Sequence, residues 1–182
     1  DFIRLIEECE PPIFVIENVH GLLTHNKGET FKMLKDLLSI DGTYNIDYKL
    51  LNSNDYDVPQ KRKRVFIIGT KKEERLVYNF PEPFNPGTTL TDAFKDIPEC
   101  SEGFGYPEKK LKLFKKIPQG GCWINLSKEE QKEYLGKSID SGGGKRGILR
   151  RLSMDEPSLT LLTTPSQKQT ERCHPVEDRP LN

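Results

Sequence analysis

No stretch of the sequence approaches the roughly 20 consecutive apolar residues of a membrane-spanning helix, and its first residues, DFIR, lack the basic start and apolar centre of a signal peptide. The expectation is an intracellular, cytoplasmic chain. Cysteine is also scarce. Cys9, Cys100, Cys122 and Cys173 stand far apart, with no C-x-x-C pair and no histidine at metal-ligand spacing. Neither a zinc site nor a disulfide framework is expected, and the thiols should be free. Charge of one sign is missing too: 28 basic and 28 acidic residues cancel, which argues against a protein that is basic all over. Internal repeats and low-complexity stretches are absent. What remains is an apolar fraction of 34% against a charged fraction of 31% over 182 residues, enough chain for a core and a balance suited to solvated surface or a polar partner.

The opening segment reads as α/β. Phe2, Ile3, Leu5, Ile6 and Cys9 fall on one side at helical spacing, and Pro11-Pro12 ends that helix. Residues 13–16 are apolar without alternation and rich in β-branched side chains, the pattern of a strand buried on both faces of a parallel sheet. A second helix is expected over 29–40, with Phe31, Leu34, Leu37 and Leu38 as its buried side and Gly42 past its end. Residues 44–51 and 64–70 follow as strands. Between 79 and 89, Pro81, Pro83, Pro86 and Gly87 crowd together as no sheet would accommodate, so a domain boundary falls there. Beyond it, short helices are expected over 91–97 and 127–134. The second opens with a capping box of Ser127 and Glu130 and stops at Gly136. The expected domains are 1–80 and 81–182.

Basic residues cluster at 61–64, 109–116 and 145–151, leaving room for a local basic surface. The middle cluster is most simply a solvated helix face, since Leu111, Phe114 and Ile117 give it one apolar side. The Gly142-Gly143-Gly144 run beside Lys145 and Arg146 is read equally as a plain turn and as backbone able to approach a phosphate. Glu17-Asn18-Val19 stands after the apolar strand, and in open α/β sheets functional groups gather at the carboxyl ends of strands. Read alone, the carboxylate is more simply a polar residue closing a strand. In V-P-Q-K-R-K-R, residues 58–64, alternation puts Gln60, Arg62 and Arg64 on one face, fit for an anion. A solvated strand edge accounts for that run equally well.

Together these segments resemble the DNA (cytosine-5) methyltransferase family, whose Pro-x-x-x-x-x-Glu-Asn-Val and Gln-x-Arg-x-Arg motifs look like residues 12–19 and 60–64. A third match comes near the end, where Pro157-Ser158-Leu159-Thr160-Leu161 and then Arg172-Cys173-His174-Pro175 through Arg179-Pro180-Leu181 look like the segment closing the family's target recognition domain. The resemblance covers nearly the whole chain and is weakest between Gly87 and Gly147. It implies a partial Rossmann-like methyltransferase sheet of three strands and their helices, residues 1–80, with a small mixed α+β target recognition domain and its return segment after it.

By that resemblance Glu17 would contact N3 and the exocyclic amine of a cytosine flipped out of duplex DNA, donating a proton to N3 as a nucleophile adds at C6. The apolar strand before Glu17 would limit its solvation and so favour the protonated form. Arg64 would hold the base at O2, Arg62 would order the loop bearing the nucleophile, and Gln60 would support both. Asn18, Gln60, Thr160, Lys145, Arg146 and Arg150 are the expected DNA-contacting residues, and Arg172 and Arg179 the residues joining recognition and catalytic domains. Asp57 departs from the family, standing where glycine is usual.

The family's glycine-rich loop for S-adenosylmethionine and its Pro-Cys nucleophile loop should precede this chain, and the segment completing the cofactor pocket should follow it. No cysteine here follows a proline. The expectation is a fragment of a bacterial or phage restriction-modification enzyme, using S-adenosylmethionine and no metal, associated with the nucleoid and inactive on its own. Its partners would be duplex DNA and the remainder of the enzyme. The fragment, lacking neighbouring strands, should expose apolar edges and self-associate. Two other readings are one subunit of a split methyltransferase and a non-catalytic DNA-binding module. The absent initiating methionine favours truncation over the first, and retention of Glu17, Arg62 and Arg64 argues against the second.

Overall fold

The computed structural model describes residues 1–84, 86–97, 105–140, 147–163, 167–168 and 170–181. The chain forms two compact units, Asp1–Tyr56 with Arg62–Phe84 and Asp57–Lys61 with Asn85–Asn182. The division after Phe84 lies in the proline-rich stretch, and the five residues Asp57–Lys61 pack with the later unit.

In the first unit, helix α1 (Phe2–Cys9) ends where Glu10 adopts a left-handed conformation ahead of the two prolines. Of its expected apolar side only Ile6 is buried, while Phe2 and Leu5 are exposed. Strand β1 (Ile13–Val19), helix α2 (Glu29–Leu38), strand β2 (Tyr44–Asn52) and strand β4 (Lys63–Lys71) complete the unit. Phe31 and Leu38 anchor α2, but Leu37, expected on its buried side, is exposed.

The sheet order is β1-β4-β2, and β4 runs antiparallel to both neighbours. The expectation that residues 13–16 lie in a parallel sheet, covered on both faces, is therefore wrong. The chain turns back after β2, and β4 inserts between two strands that run alike but never pair. Val65 and Ile67 on central β4 are fully buried, whereas Ile13, Val15 and Val19 on edge strand β1 are exposed. The core lies on the other face, where Phe14, Ile16, Tyr44, Val65 and Ile67 pack with Ile6, Phe31 and Leu38. Gly69 is opposite Phe14, whose ring lies so close that a Cβ on Gly69 would sit 2.1 Å from it.

The second unit is built from short elements: β3 (Gln60–Lys61), α3 (Leu90–Ala93), α4 (Glu108–Phe114), α5 (Lys128–Leu135) and β5 (Ser158–Leu159). The helix expected over 91–97 is shorter and earlier, fixed by a capping box of Thr89 and Asp92. The Ser127 and Glu130 box stands at the start of α5 as expected. Phe114 and Ile117 are buried with Tyr106, Leu126, Leu135, Ile148 and Leu149 in one core. Strands β3 and β5 pair in parallel, Gln60 beside Ser158 and Lys61 beside Leu159. The single extended segment expected to align Gln60, Arg62 and Arg64 is thus two strands with different partners, interrupted at Arg62.

Candidate nucleic-acid and base-binding site

Glu17 lies inside β1 rather than after it, because pairing with β4 continues to Val19 opposite Arg64. Glu17 itself is opposite Phe66, so Arg64, two residues from Phe66, is its diagonal neighbour on the same face. The two side chains meet there: Arg64 Nε is 2.8 Å from a Glu17 carboxylate oxygen. Their face is the one turned away from the hydrophobic core. Glu17 is 44% exposed and Arg64 18%, so the carboxylate remains open to solvent while the guanidinium is mostly enclosed. The expected shielding of Glu17 by its apolar strand is absent, since the residues that β1 offers to that face, Ile13, Val15 and Val19, are themselves exposed. Arg64 also donates from Nη1 to its neighbour's carbonyl, Lys63 O, at 2.9 Å.

Asn18 alternates to the other side of β1, and its Oδ1 accepts from Val19 N at 2.8 Å, a local cap on the strand end. Arg62 is half-buried, and its carbonyl accepts from Ser53 N at 3.1 Å. In the second unit, Thr160 Oγ1 donates to Lys61 O at 2.9 Å, and Ser158 N to Pro59 O at 2.8 Å. These bonds fix Gln60 and Thr160 on neighbouring segments of one small ladder. Asp57, at the head of that ladder, has φ 64°, the left-handed region. That conformation is why glycine suits the position; aspartate tolerates it better than most residues, and here its carboxylate accepts from the Thr88 hydroxyl.

The cluster over 145–151 is not a continuous basic surface. Lys145 and Arg146 lie outside the described residues. Arg151 is 4% exposed and donates inward, to Phe114 O at 2.7 Å, Ile117 O at 2.8 Å, and His174 O and Glu177 O at 3.1 Å each, with Asp178 as its carboxylate. Two of those carbonyls belong to the end of α4 and the turn after it, groups a helix leaves without partners. A buried arginine clamp was missed because arginine in a basic run reads as solvated until its neighbours in space are known. The fully buried Glu171 was missed likewise: it pairs with Lys110 and accepts from Leu149 N at 2.6 Å. Burial pushes its carboxyl above the ordinary range, against the opposing pull of Lys110.

Around the return segment, Arg179 grips Glu177 at 2.7 and 3.2 Å, and its carbonyl accepts from His174 N at 2.8 Å. The His174 ring stacks on Phe94 at 5.2 Å, and its Nδ1 accepts from Val176 N at 3.2 Å and Glu177 N at 2.9 Å. Cys9, Cys122 and Cys173 are free thiols, and Cys100 lies outside the described residues. Burial pushes the Cys173 thiol up to about 11, so it is a packing group and no nucleophile.

The order of these segments decides the family. The C-5 cytosine-specific DNA methylase pattern matches residues 1–182. This chain belongs to the C-5 cytosine-specific DNA methylase family. It is 43% identical over 190 residues to Type II methyltransferase M.Eco47II of Escherichia coli, covering 100% of this chain and 45% of that protein. To Type II methyltransferase M.Sau96I of Staphylococcus aureus it is 44% identical over 185 residues, covering 98% and 42%. The chain thus spans less than half the length of these relatives. A solved structure from Escherichia coli, described as a prophage-encoded DNA modification methyltransferase, superposes with a TM-score of 0.59 at 22% identity, over 99% of this chain and 59% of its own, and so shares the fold. Among the described residues, no group of three or more His, Cys, Asp or Glu is placed to hold a metal, and no helix is long and apolar enough to cross a membrane.

Proposed function

We propose that this chain is the C-terminal part of a restriction-modification enzyme that methylates carbon 5 of a flipped cytosine in duplex DNA, and that Glu17 and Arg64 receive the base. The observation carrying this reading is the Glu17–Arg64 pair at 2.8 Å, presented by neighbouring strands on the face of the sheet opposite the Phe14 core. Cytosine offers a matching edge: N3 and the exocyclic amine for a carboxyl group, O2 for a guanidinium. When a nucleophile adds at C6, electron density moves to N3 and O2. A protonated Glu17 supplies N3 with a proton, and Arg64 donates to O2, so both groups stabilise charge that develops only on the way to the adduct. Arg64, four-fifths enclosed, is the better fixed of the two, and its own carbonyl contact at Lys63 limits its swing. Glu17 is the more open and can turn toward an entering base.

Arg62 is proposed to order the nucleophile-bearing loop, Gln60 and Asn18 to support the site, and Thr160 with Arg150 to meet the DNA. Lys145 and Arg146 belong to the same proposed interface. Arg179, locked onto Glu177, holds the return segment in shape. S-adenosylmethionine supplies the methyl group in this chemistry, but among the described residues no glycine-rich turn joins a strand to a helix to hold it, and the sequence has no Pro-Cys pair. The residues present do not make that cofactor's site, and none of the steps above passes through it. On this reading the chain alone does not methylate DNA, and its partners are the rest of the enzyme and the duplex. Flipping the base costs a few kcal/mol, offset by the recognition unit and by Arg64.

The test is methyl incorporation from radiolabelled S-adenosylmethionine into unmethylated mixed-sequence DNA by the full-length protein and its Glu17→Ala variant. A general acid contributes roughly 100-fold to 10,000-fold, so the variant should lose at least the lower figure in kcat. Retention of activity within tenfold would remove Glu17 from the chemistry.

A further inference from the structure

The return segment does more than close the second unit. Arg151 and Cys173 form a parallel bridge, with Cys173 N donating to Arg150 O at 2.9 Å and Leu152 N to Cys173 O at 3.0 Å. Arg151 and Cys173 turn into the core, 4% and 0% exposed. By alternation the residues before them, Arg150 and Arg172, turn to the opposite face, side by side.

Like charges at such a position repel, and a fold normally answers them with a carboxylate. The carboxylates nearest Arg172 in sequence are engaged elsewhere: Glu171 by Lys110 and Leu149 N, Glu177 by Arg179, and Asp178 by Arg151. Nε of Arg150 and Nε of Arg172 are both buried without an acceptor. Arg172 donates from Nη1 to Glu171 O at 2.6 Å, which uses one of its five N–H groups. Burial first, then the charge of Arg150, weakens Arg172's hold on its own proton. Both residues are half-buried rather than sealed in the core as Arg151 and Cys173 are.

We propose that Arg150 and Arg172 together form a site for one phosphate group of a nucleic-acid backbone, drawn between the two guanidinium groups. This rests on the DNA-modifying reading above and gives Arg172 a ligand-facing role in place of a purely domain-joining one. A phosphate drawn to the pair cancels the repulsion between the two guanidinium groups. Guanidinium suits the task because its planar fork matches phosphate oxygens in pairs. Such a contact sets the register of the protein on the duplex and carries no sequence information.

The experiment is fluorescence anisotropy of a labelled mixed-sequence duplex with the full-length protein, its Arg150→Gln and Arg172→Gln variants and the double variant, over a range of salt. Each single variant should bind more weakly and lower the log–log salt slope by about one, and the double variant should lower it no further, because one phosphate is lost in every case. Without DNA, all variants should melt at or above the wild-type temperature, since the repulsion has been relieved. An unchanged slope for Arg172→Gln, or a large loss of thermal stability, would make Arg172 an internal strut and overturn the proposal. If the wild type does not bind duplex, the DNA reading fails, and inorganic phosphate then tests the site by itself. A phosphate-dependent rise in melting temperature over a chloride control, absent in the double variant, supports the anion site; an equal rise in both overturns it.

Discussion

Replacing Arg151 by methionine should be the most damaging single change in the second unit. The methionine fills much of the aliphatic stem's space but leaves the carbonyls of Phe114, Ile117, His174 and Glu177, and the carboxylate of Asp178, without their donor. Breaking a buried ion pair from one side costs about 3–5 kcal/mol, because the remaining charge and acceptors stay desolvated. Asp178 is 30% exposed and can rehydrate, which places the cost nearer the lower end, so about 3 kcal/mol is expected. Against a typical domain stability of about 5–15 kcal/mol, that is a large fraction. Urea unfolding followed by tryptophan fluorescence reads the effect directly, since Trp123 is the one tryptophan of the chain and packs against the core that contains Phe114. With a slope of about 2 kcal/mol per molar urea, the midpoint should fall by about 1.5 M. Arg151→Lys should recover only part of this, because a compact ammonium cannot reach five acceptors arranged around a planar fork. A loss below about 1 kcal/mol for Arg151→Met would refute the view that these bonds hold the unit together.

Two further outcomes follow from packing and protonation. Gly69→Ala should cost about 1–3 kcal/mol in the first unit, because the new Cβ must displace the Phe14 ring from its place against Tyr44; a neutral urea midpoint would show that the ring yields freely. His174 has its pKa lowered, chiefly by burial, with Arg179 and Arg151 adding to the effect and Glu177 opposing it. The fold therefore favours the neutral ring, whose Nδ1 accepts two backbone bonds. This stability is present above the ordinary value of 6.5 and is lost as pH falls through the lower folded value. The Glu171 contribution has the opposite sign, with its raised pKa favouring the fold below the ordinary 4.5 and losing that help as pH rises. Melting temperature should fall on acidification below about 6.5, and His174→Gln should remove that part of the slope; an identical slope in both proteins would assign it to other groups.

Periodicity was sufficient for α1, α2 and the capped α5, because helical spacing and a capping box are local properties of the chain. It did not reveal the sheet's topology. An apolar run such as residues 13–16 looks the same whether a strand is covered on both faces or lies at an edge with one side open, and only the return of β4 between β1 and β2 settles which. The Glu17–Arg64 pair was legible as two separate motifs, but its geometry depends on a diagonal register that neither motif carries. Alternation failed for Gln60, Arg62 and Arg64 because the chain breaks its strand at Arg62. Arg150 and Arg151 illustrate the same limit: adjacent arginines in one basic run face opposite ways, one into a shell of carbonyls and the other toward Arg172, and only the bridge to Cys173 distinguishes them.

Bisulfite sequencing tests most directly whether the Glu17 and Arg64 face receives a cytosine for methylation. DNA from methylation-free cells expressing the full-length protein should show modified cytosine within one short recurrent sequence, and DNA from cells expressing Glu17→Ala should show none. Absence of modification with a folded, DNA-bound wild-type protein would contradict the account and leave a DNA-binding module in its place.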